Sequence, residues 1–195
     1  MDQLNFTFRE VEPDDALKEL HQILKAIVDT ELAQYDIESD LLLVDYPFED
    51  PSKYNDFFSG LSEHANQKWA TRVNNDWDFS KVPFRKSSDK IDGLYKILRT
   101  GGAYSENYHK SEALNIEEKI RRRFQKDSPD LLIFSIVDFE ITEDKEGQDI
   151  KGSILDLGSI DEISSFFEQL AWDDLIFIIN PKFRTLYIIA FTDTD

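Results

Sequence analysis

The 195-residue sequence predicts an α+β protein in which a mainly helical N-terminal part, residues 1–126, packs on a C-terminal sheet formed by residues 127–195. Three observations lead to this fold class: two apolar runs near the C-terminus, a change in apolar period near Asp130, and helix-type spacing upstream. The length suits one domain, because domains usually contain roughly 100 to 200 residues. We therefore expect a single domain over 1–195, with about four strands in the order ββαββ.

The two apolar runs lie between Leu175 and Phe191, in the sequence LIFIINPKFRTLYIIAF. Both are rich in β-branched and aromatic residues, which favour strands, and a break containing Asn180 and Pro181 separates them. Both are apolar at successive positions, which a strand tolerates only when its two faces are covered. The sequence therefore predicts a terminal hairpin at the centre of the sheet.

Two further strands and a helix are predicted ahead of this hairpin. Leu131–Ile141 has a period of two and is apolar on both faces at its start, whereas Ile150–Leu157 is weaker, contains Gly152 and suits a sheet edge. Ser159–Trp172 opens with a capping box and predicts a helix that could cross over between parallel strands. The sheet is therefore expected to be mixed or antiparallel.

The N-terminal part predicts four helices: Pro13–Val28, Pro51–Val73, one capped by Ser88 and ended by Gly101-Gly102, and Ser111–Lys126. Leu4–Val11 predicts a short strand, and the apolar run Asp40–Tyr46 fits either a strand or a buried turn. One helix cannot cover both faces of a sheet. The N-terminal helices, or a second subunit, must therefore cover the remainder.

The charge is strongly negative and unevenly distributed. Forty acidic and 22 basic residues give a formal net charge of −18. Residues 1–60 carry 15 acidic and 4 basic side chains, residues 61–126 carry 9 and 14, and residues 127–195 carry 16 and 4. An acidic surface repels nucleic acid and anionic membranes and speeds encounter with a basic partner. Solubility alone is the other interpretation of such a charge.

The absence of cysteine excludes disulfides, a thiolate nucleophile and cysteine-ligated metal sites. The N-terminal sequence lacks the basic and apolar regions of a secretory signal, and no apolar run approaches the ~20 residues that span a bilayer. We therefore expect a soluble cytoplasmic protein without a membrane partner. Whether it is a monomer or a homodimer stays open.

Catalytic signatures are missing from the sequence. There is no Gly-x-Ser-x-Gly elbow, no P-loop and no dinucleotide fingerprint, so we predict no catalytic residue and no cofactor. No metal site is predicted either, because the histidines and the acidic pairs lack a diagnostic spacing. These candidates are His21, His64 and His109, Asp76 with Asp78, Asp173 with Asp174, and Asp193 with Asp195.

An acidic and aromatic segment is the best candidate for binding a partner. Asp76, Trp77, Asp78 and Phe79 lie in a turn-rich stretch without helical or strand periodicity. Binding energy at protein interfaces concentrates on aromatic anchors. The leading hypothesis is therefore a non-enzymatic acidic protein that binds a basic protein, such as an inhibitor or immunity-type protein.

Two other functions remain open. Arg85, Lys86, Arg121, Arg122 and Arg123 lie in the basic middle segment, near aromatic residues, and could form a phosphate- or nucleic-acid-binding module. Internal pairing with the acidic segments is the more ordinary role of such a charge run, so nucleic acid is not the favoured partner. The second alternative is a hydrolase that uses a divalent metal and carboxylates distant in sequence.

Overall fold

A computed structural model describes residues 7–27, 34–45, 54–68, 85–87, 90–100, 108–126, 130–137, 139–143, 150–154 and 172–194, here called the described segments. The helices are α1 (Asp15–Ile27), α2 (Tyr54–Lys68), α3 (Asp92–Thr100) and α4 (Lys110–Gln125). The strands are β1 (Phe8–Val11), β2 (Gln34–Val44), β3 (Arg85–Ser87), β4 (Leu132–Val137), β5 (Phe139–Glu143), β6 (Ile150–Ile154), β7 (Trp172–Asn180) and β8 (Thr185–Thr194). The fold is therefore mixed α+β.

Six of these strands form one sheet in the order β1-β2-β8-β7-β4-β3, and all of its described pairs are antiparallel. Strands β5 and β6 pair with each other in a separate two-stranded sheet. No described pair is parallel, so the expected crossover between parallel strands is not found among these strands. Most of the helix predicted for this crossover, 159–171, lies outside the described segments, and Trp172 begins β7.

The terminal hairpin occupies the centre of the sheet, as the sequence predicts. Ile178 of β7 is opposite Tyr187 of β8, and each strand has a further neighbour, β4 beside β7 and β2 beside β8. Successive side chains along both strands are buried, from Leu175 to Asn180 and from Thr185 to Phe191. Both faces of the hairpin are therefore covered.

Helices from the N-terminal part cover the two faces. Helices α1, α3 and α4 pack on one face, here called the three-helix face, which includes Ile133, Ile176, Ile178, Tyr187 and Ile189. Helix α2 packs on the opposite face, here called the α2 face, which includes Phe134, Phe177, Ile179 and Ile188. Because side chains alternate along a strand, each central strand contributes to both cores.

The sheet is larger than the four strands predicted. The difference arises because three strands of the N-terminal part join it: β1, which lies within the predicted strand Leu4–Val11, β2 and β3. Strand β2 extends well before the apolar run at Asp40–Tyr46, because its pairing with β8 starts at Gln34. Strand β3 contains three residues, too few to show a period.

The ββαββ order is wrong for a second reason. The predicted strand Leu131–Ile141 is two strands, of which β4 belongs to the main sheet and β5 to the small one. After Val137 one face of the predicted strand becomes acidic, with Asp138 and Glu140. Because burying unpaired charge is costly, this part of the sequence is poorly suited to a sheet covered on both faces. Strand β6, predicted at an edge of the main sheet, instead pairs with β5.

Candidate functional site

A group of hydrogen-bonded polar side chains joins α1, α4 and β8, and is here called the polar junction: Asp14, Lys126 and Tyr187. Asp14 precedes α1, and its Oδ1 accepts the backbone N–H of Leu17 at 3.0 Å, which caps the helix. Its Oδ2 accepts hydrogen bonds from Lys126 Nζ and from the Tyr187 hydroxyl, both at 2.8 Å. The Tyr187 ring packs edge-on against Phe124, with 4.6 Å between ring centroids.

The hydrogen bonds of the polar junction fix the protonation of its members. Burial opposes ionisation of Asp14, but the bonds from Lys126, Leu17 and Tyr187 outweigh it and lower the pKa of the carboxyl. Burial and the bond to Asp14 raise the pKa of Tyr187, and the pKa of Lys126 is raised because its bonds to Asp14 and Tyr187 outweigh burial. At neutral pH the carboxylate stays ionised and the other two groups keep their protons, so none is suited to general acid–base catalysis.

Asn180 ties the tip of the terminal hairpin to the end of α4. Its side-chain amide, in a residue that is 1% exposed, donates to the carbonyl oxygens of Phe124 at 3.2 Å and Gln125 at 3.4 Å. Its Oδ1 accepts the backbone N–H of Phe183 at 3.3 Å. The buried amide therefore hydrogen-bonds the last carbonyls of α4 and also fixes the turn.

Glu117 is a buried carboxylate on the apolar side of α4. Its Oε1 accepts the backbone N–H of Ile91 at 2.8 Å and the Nε–H of Arg121 at 3.1 Å. Burial raises the pKa of Glu117, although these hydrogen bonds and the positive charge of Arg121 favour ionisation. On the same helix Ala113 is buried, whereas Leu114 is 38% exposed.

Ion pairs surround the basic residues of α4. Glu19 of α1 bridges Lys119 Nζ at 2.7 Å and Arg123 Nε at 2.9 Å. The bond from Lys119 contributes most to lowering the pKa of Glu19, which burial opposes and the charge of Arg123 reinforces.

The two remaining arginines of this segment are also paired. Arg121 contacts Glu117 at 3.1 Å and Arg122 contacts Glu118 at 2.5 Å, each one helical turn away. Three carboxylates of α1 and α4 thus pair with these four cations.

The residues predicted to bind phosphate are not brought together as one set. Arg121, Arg122 and Arg123 lie on α4, which packs against the three-helix face. Lys86 of β3 lies on the α2 face, where its Nζ is 3.4 Å from the Tyr54 hydroxyl and 5.0 Å from the centre of the Tyr54 ring. Arg85 precedes Lys86 in β3 and is opposite Ser135 of β4. The sheet therefore separates Lys86 from the arginines of α4.

The segment predicted to bind a partner, Asp76–Phe79, lies outside the described segments, so it stays a prediction. The histidines are apart from one another. His21 Nδ1 is 3.3 Å from Ser39 Oγ, His64 Nε2 is 3.7 Å from a Glu10 oxygen, and His109 is exposed at the start of α4. Within the described residues, no group of three or more histidine or acidic side chains is placed to hold a metal ion.

Sequence reasoning missed the roles of Glu117 and Asn180, although each left a signal. Glu117 follows Ala113 by four residues and precedes Ile120 by three, so it occupies the buried side of α4. Asn180 ends an unbroken apolar run next to Pro181. A polar residue in an apolar pattern indicates a buried hydrogen-bonding role.

None of the helices in the described segments combines the length and the apolar character needed to cross a membrane. Comparison of the chain with protein-family models, with curated proteins and with solved structures finds no match. The functional argument therefore depends on the chain's own residues.

Proposed function

We propose that this chain is a non-enzymatic acidic protein that binds a basic protein partner in the cytoplasm, in the manner of an inhibitor or immunity-type protein. The observation that carries the proposal is the pairing of the basic residues of α4 with Glu19, Glu117 and Glu118. An anionic ligand would have to compete with carboxylates that are already in place. A cationic ligand is instead attracted by the chain's excess of acidic residues, 40 against 22 basic ones.

The distribution of charge in the sequence supports the same partner chemistry. The described segments contain 21 acidic and 18 basic residues, which nearly balance. The rest of the chain contains 19 acidic and 4 basic residues, so most of the excess negative charge belongs there. Concentrated negative charge accelerates association with a positively charged partner and disfavours nucleic acid.

The chemistry of the polar junction supports a non-enzymatic role. Asp14 is held as a carboxylate, whereas Lys126 and Tyr187 are held protonated, and their hydrogen bonds are directed at one another. This arrangement stabilises the contact between α1, α4 and β8 without leaving a base of matched pKa. General acid–base catalysis needs a group whose pKa lies near the working pH.

Asp76, Trp77, Asp78 and Phe79 are the proposed contact residues. Two aromatic side chains provide a large apolar area, and the two carboxylates beside them provide charge complementarity to a basic surface. A partner would therefore present lysine or arginine side chains around a pocket for an aromatic ring.

The test compares three forms of the full-length chain immobilised on a biosensor: wild type, a variant with Asp76→Asn, Trp77→Ala, Asp78→Asn and Phe79→Ala, and a control with Asp56→Asn and Glu63→Gln. The control removes the same number of charges from exposed positions on α2. A partner isolated from the native cell extract by its binding to the wild type is then titrated over each surface at several salt concentrations.

We expect a partner of high isoelectric point that binds the wild type and the control, loses at least tenfold in affinity for the four-residue variant, and weakens as salt rises. Equal binding to all three surfaces would contradict the assignment of the contact residues. Steeply salt-dependent retention of the protein on a phosphate matrix would favour the nucleic-acid alternative. A rise of several degrees in melting temperature with Mg²⁺ or Mn²⁺ would favour the metal-dependent hydrolase.

A further inference from the structure

Strand β1, which contains four residues, forms one outer edge of the main sheet. It pairs with β2, and no other described strand pairs with its second side. An unpaired strand edge exposes backbone N–H and C=O groups to which a further strand can add. Because helices pack on the two faces of the sheet, this edge is a place where another chain could extend it.

The packing of β1 fixes the side of the sheet on which each of its side chains lies. Phe8 packs with the core of the α2 face and Val11 with the core of the three-helix face. Side chains alternate along a strand, so Glu10 lies on the α2 side and Arg9 on the three-helix side. The contact of Glu10 with His64 of α2, at 3.7 Å, agrees with this placement. The middle of β1 therefore carries two exposed, opposite charges on opposite sides of the sheet.

A second copy of the chain cannot neutralise these charges by pairing with β1 in a two-fold dimer. Two identical edge strands that pair antiparallel are related by a two-fold axis perpendicular to the sheet, and this axis leaves each residue on its own side. Residues directly opposite each other on paired strands also lie on the same side. Arg9 therefore cannot be opposite Glu10 of the second copy.

Two registers pair most of β1 with its copy, and each brings like charges together. In the register centred on Arg9, the two Arg9 residues are opposite each other, and Phe8 is opposite Glu10. In the register centred on Glu10, the two Glu10 residues are opposite each other, and Arg9 is opposite Val11. Like charges directly opposite on neighbouring strands are destabilising. Registers shifted further pair fewer residues of β1.

We propose that Arg9 and Glu10 make the β1 edge selective by charge. The edge excludes a second copy of this chain, and it fits an unlike strand that places an acidic residue opposite Arg9 or a basic residue opposite Glu10. Charged residues on exposed edge strands hinder association between sheets. Here the symmetry of self-pairing adds selectivity, because only an unlike strand can complement the two charges. This inference concerns the sheet edge and is independent of the contact residues proposed above.

The first test measures self-association of the full-length chain by sedimentation velocity and by NMR over a concentration series. The edge variant, Arg9→Gln with Glu10→Gln, removes one charge of each sign, so the formal net charge stays at −18. The control, Glu118→Gln with Arg122→Gln, makes the same change in an ion pair at the surface of α4. We expect the edge variant to associate, with concentration-dependent shifts of the Phe8–Val11 amide signals. These signals should not shift in the wild type or the control.

The second test mixes two chains and does not depend on the edge variant folding. Arg9→Glu brings a carboxylate opposite Arg9 of the wild type in the register centred on this residue, whereas each chain alone pairs like charges. We expect the equimolar mixture to associate about fivefold or more tightly than either chain alone, because a repulsive pair becomes attractive. Equal association of the mixture and the separate chains would overturn the charge rule. Wild-type chains that pair through β1, or an edge variant without shifts at β1, would overturn the exclusion of a second copy.

Discussion

The two faces of the central sheet are built in different ways. The α2 face is an aromatic core, in which Phe58 packs edge-on against Phe134 at 5.2 Å and stacks on Phe177 at 5.7 Å between ring centroids. The three-helix face combines a mainly aliphatic core with the polar junction and the buried Glu117. The residues with displaced pKa values lie in α1 and α4 or at their ends, apart from Tyr187 of β8.

This difference teaches that the two cores should respond to different conditions. Aromatic packing depends on shape and apolar area, which pH does not alter. A buried carboxylate links stability to proton binding. Variants on the α2 face should therefore lose stability equally at all pH values, whereas variants of ionisable residues on the three-helix face should lose or gain stability according to pH.

The largest effect is expected from Phe58→Ala on α2, which removes a ring in contact with Phe134 and Phe177. Truncating a buried phenylalanine costs about 3–5 kcal/mol, because apolar area is lost and a cavity is left. Urea unfolding at pH 5 and pH 7 should give the same loss. Phe183→Ala, at a side chain that is 39% exposed, is the control and should change stability little. A loss of stability in Phe58→Ala that varied strongly with pH would contradict the expectation that the α2 face is insensitive to pH.

Asn180→Ala should have the next largest effect. It removes the donor to two carbonyls at the end of α4 and the acceptor of the Phe183 N–H, leaving one buried and two partly buried groups without these partners. A cost of about 2 kcal/mol is expected, independent of pH because no group titrates. Asn180→Asp, measured in parallel by thermal unfolding, keeps the acceptor and loses the donor. Wild-type stability in both variants would show that these hydrogen bonds contribute nothing.

Asp14→Asn tests the ionic part of the three-helix face. Asparagine still caps a helix, so the change chiefly weakens the bonds from Lys126 and Tyr187, and we expect a loss of about 1 kcal/mol at pH 7. Because the folded-state pKa of Asp14 is lowered, its contribution is present above the ordinary pKa of 3.8 and is lost as pH falls through the folded value. Unfolding curves of variant and wild type should therefore converge in acid. A constant gap between them would contradict this linkage.

The smallest effect is expected from Arg122→Gln. Its partner Glu118 is on the same helix, and the Arg122 side chain is 72% exposed. Exposed pairs of this spacing contribute at most about 0.5 kcal/mol and are screened by salt. Thermal unfolding at low and high salt should show a small difference that vanishes at high salt. A loss above 1 kcal/mol would mean that Arg122 has a further structural role.

The sequence predicts what depends on local pattern and misses what depends on distant pairing. The terminal hairpin is recognisable because unbroken apolar runs require cover on both faces. α1 lies within the range predicted from apolar spacing, although it starts at Asp15, so Pro13 precedes the capping Asp14 and is not in the helix. Strand β3 is invisible in sequence, because its three residues become a strand through pairing with β4.

The polar contacts were harder to predict than the elements that carry them. Lys126 and Tyr187 meet Asp14 across 112 and 173 residues of sequence, and no local pattern indicates which carboxylate a given cation contacts. The sequence indicates that the basic segment can pair with acidic residues of the same chain, but not which ones. The contacts of Glu19 with Lys119 and Arg123 are one such pairing. The specific partners follow only from the packing of α1 against α4.

The pairing of β2 with β8 has a consequence for biosynthesis. Gln34 is opposite Thr194, 160 residues later, so this side of β2 has no neighbouring strand until those residues have been synthesised. Such distant contacts slow folding, because the entropy of closing a long loop is lost before the strand pairing contributes any stabilising free energy. During synthesis, helices α1–α4 leave the ribosome before β7 and β8, the central strands that they cover in the folded protein. Their apolar sides are therefore accessible to chaperones until those strands have been made.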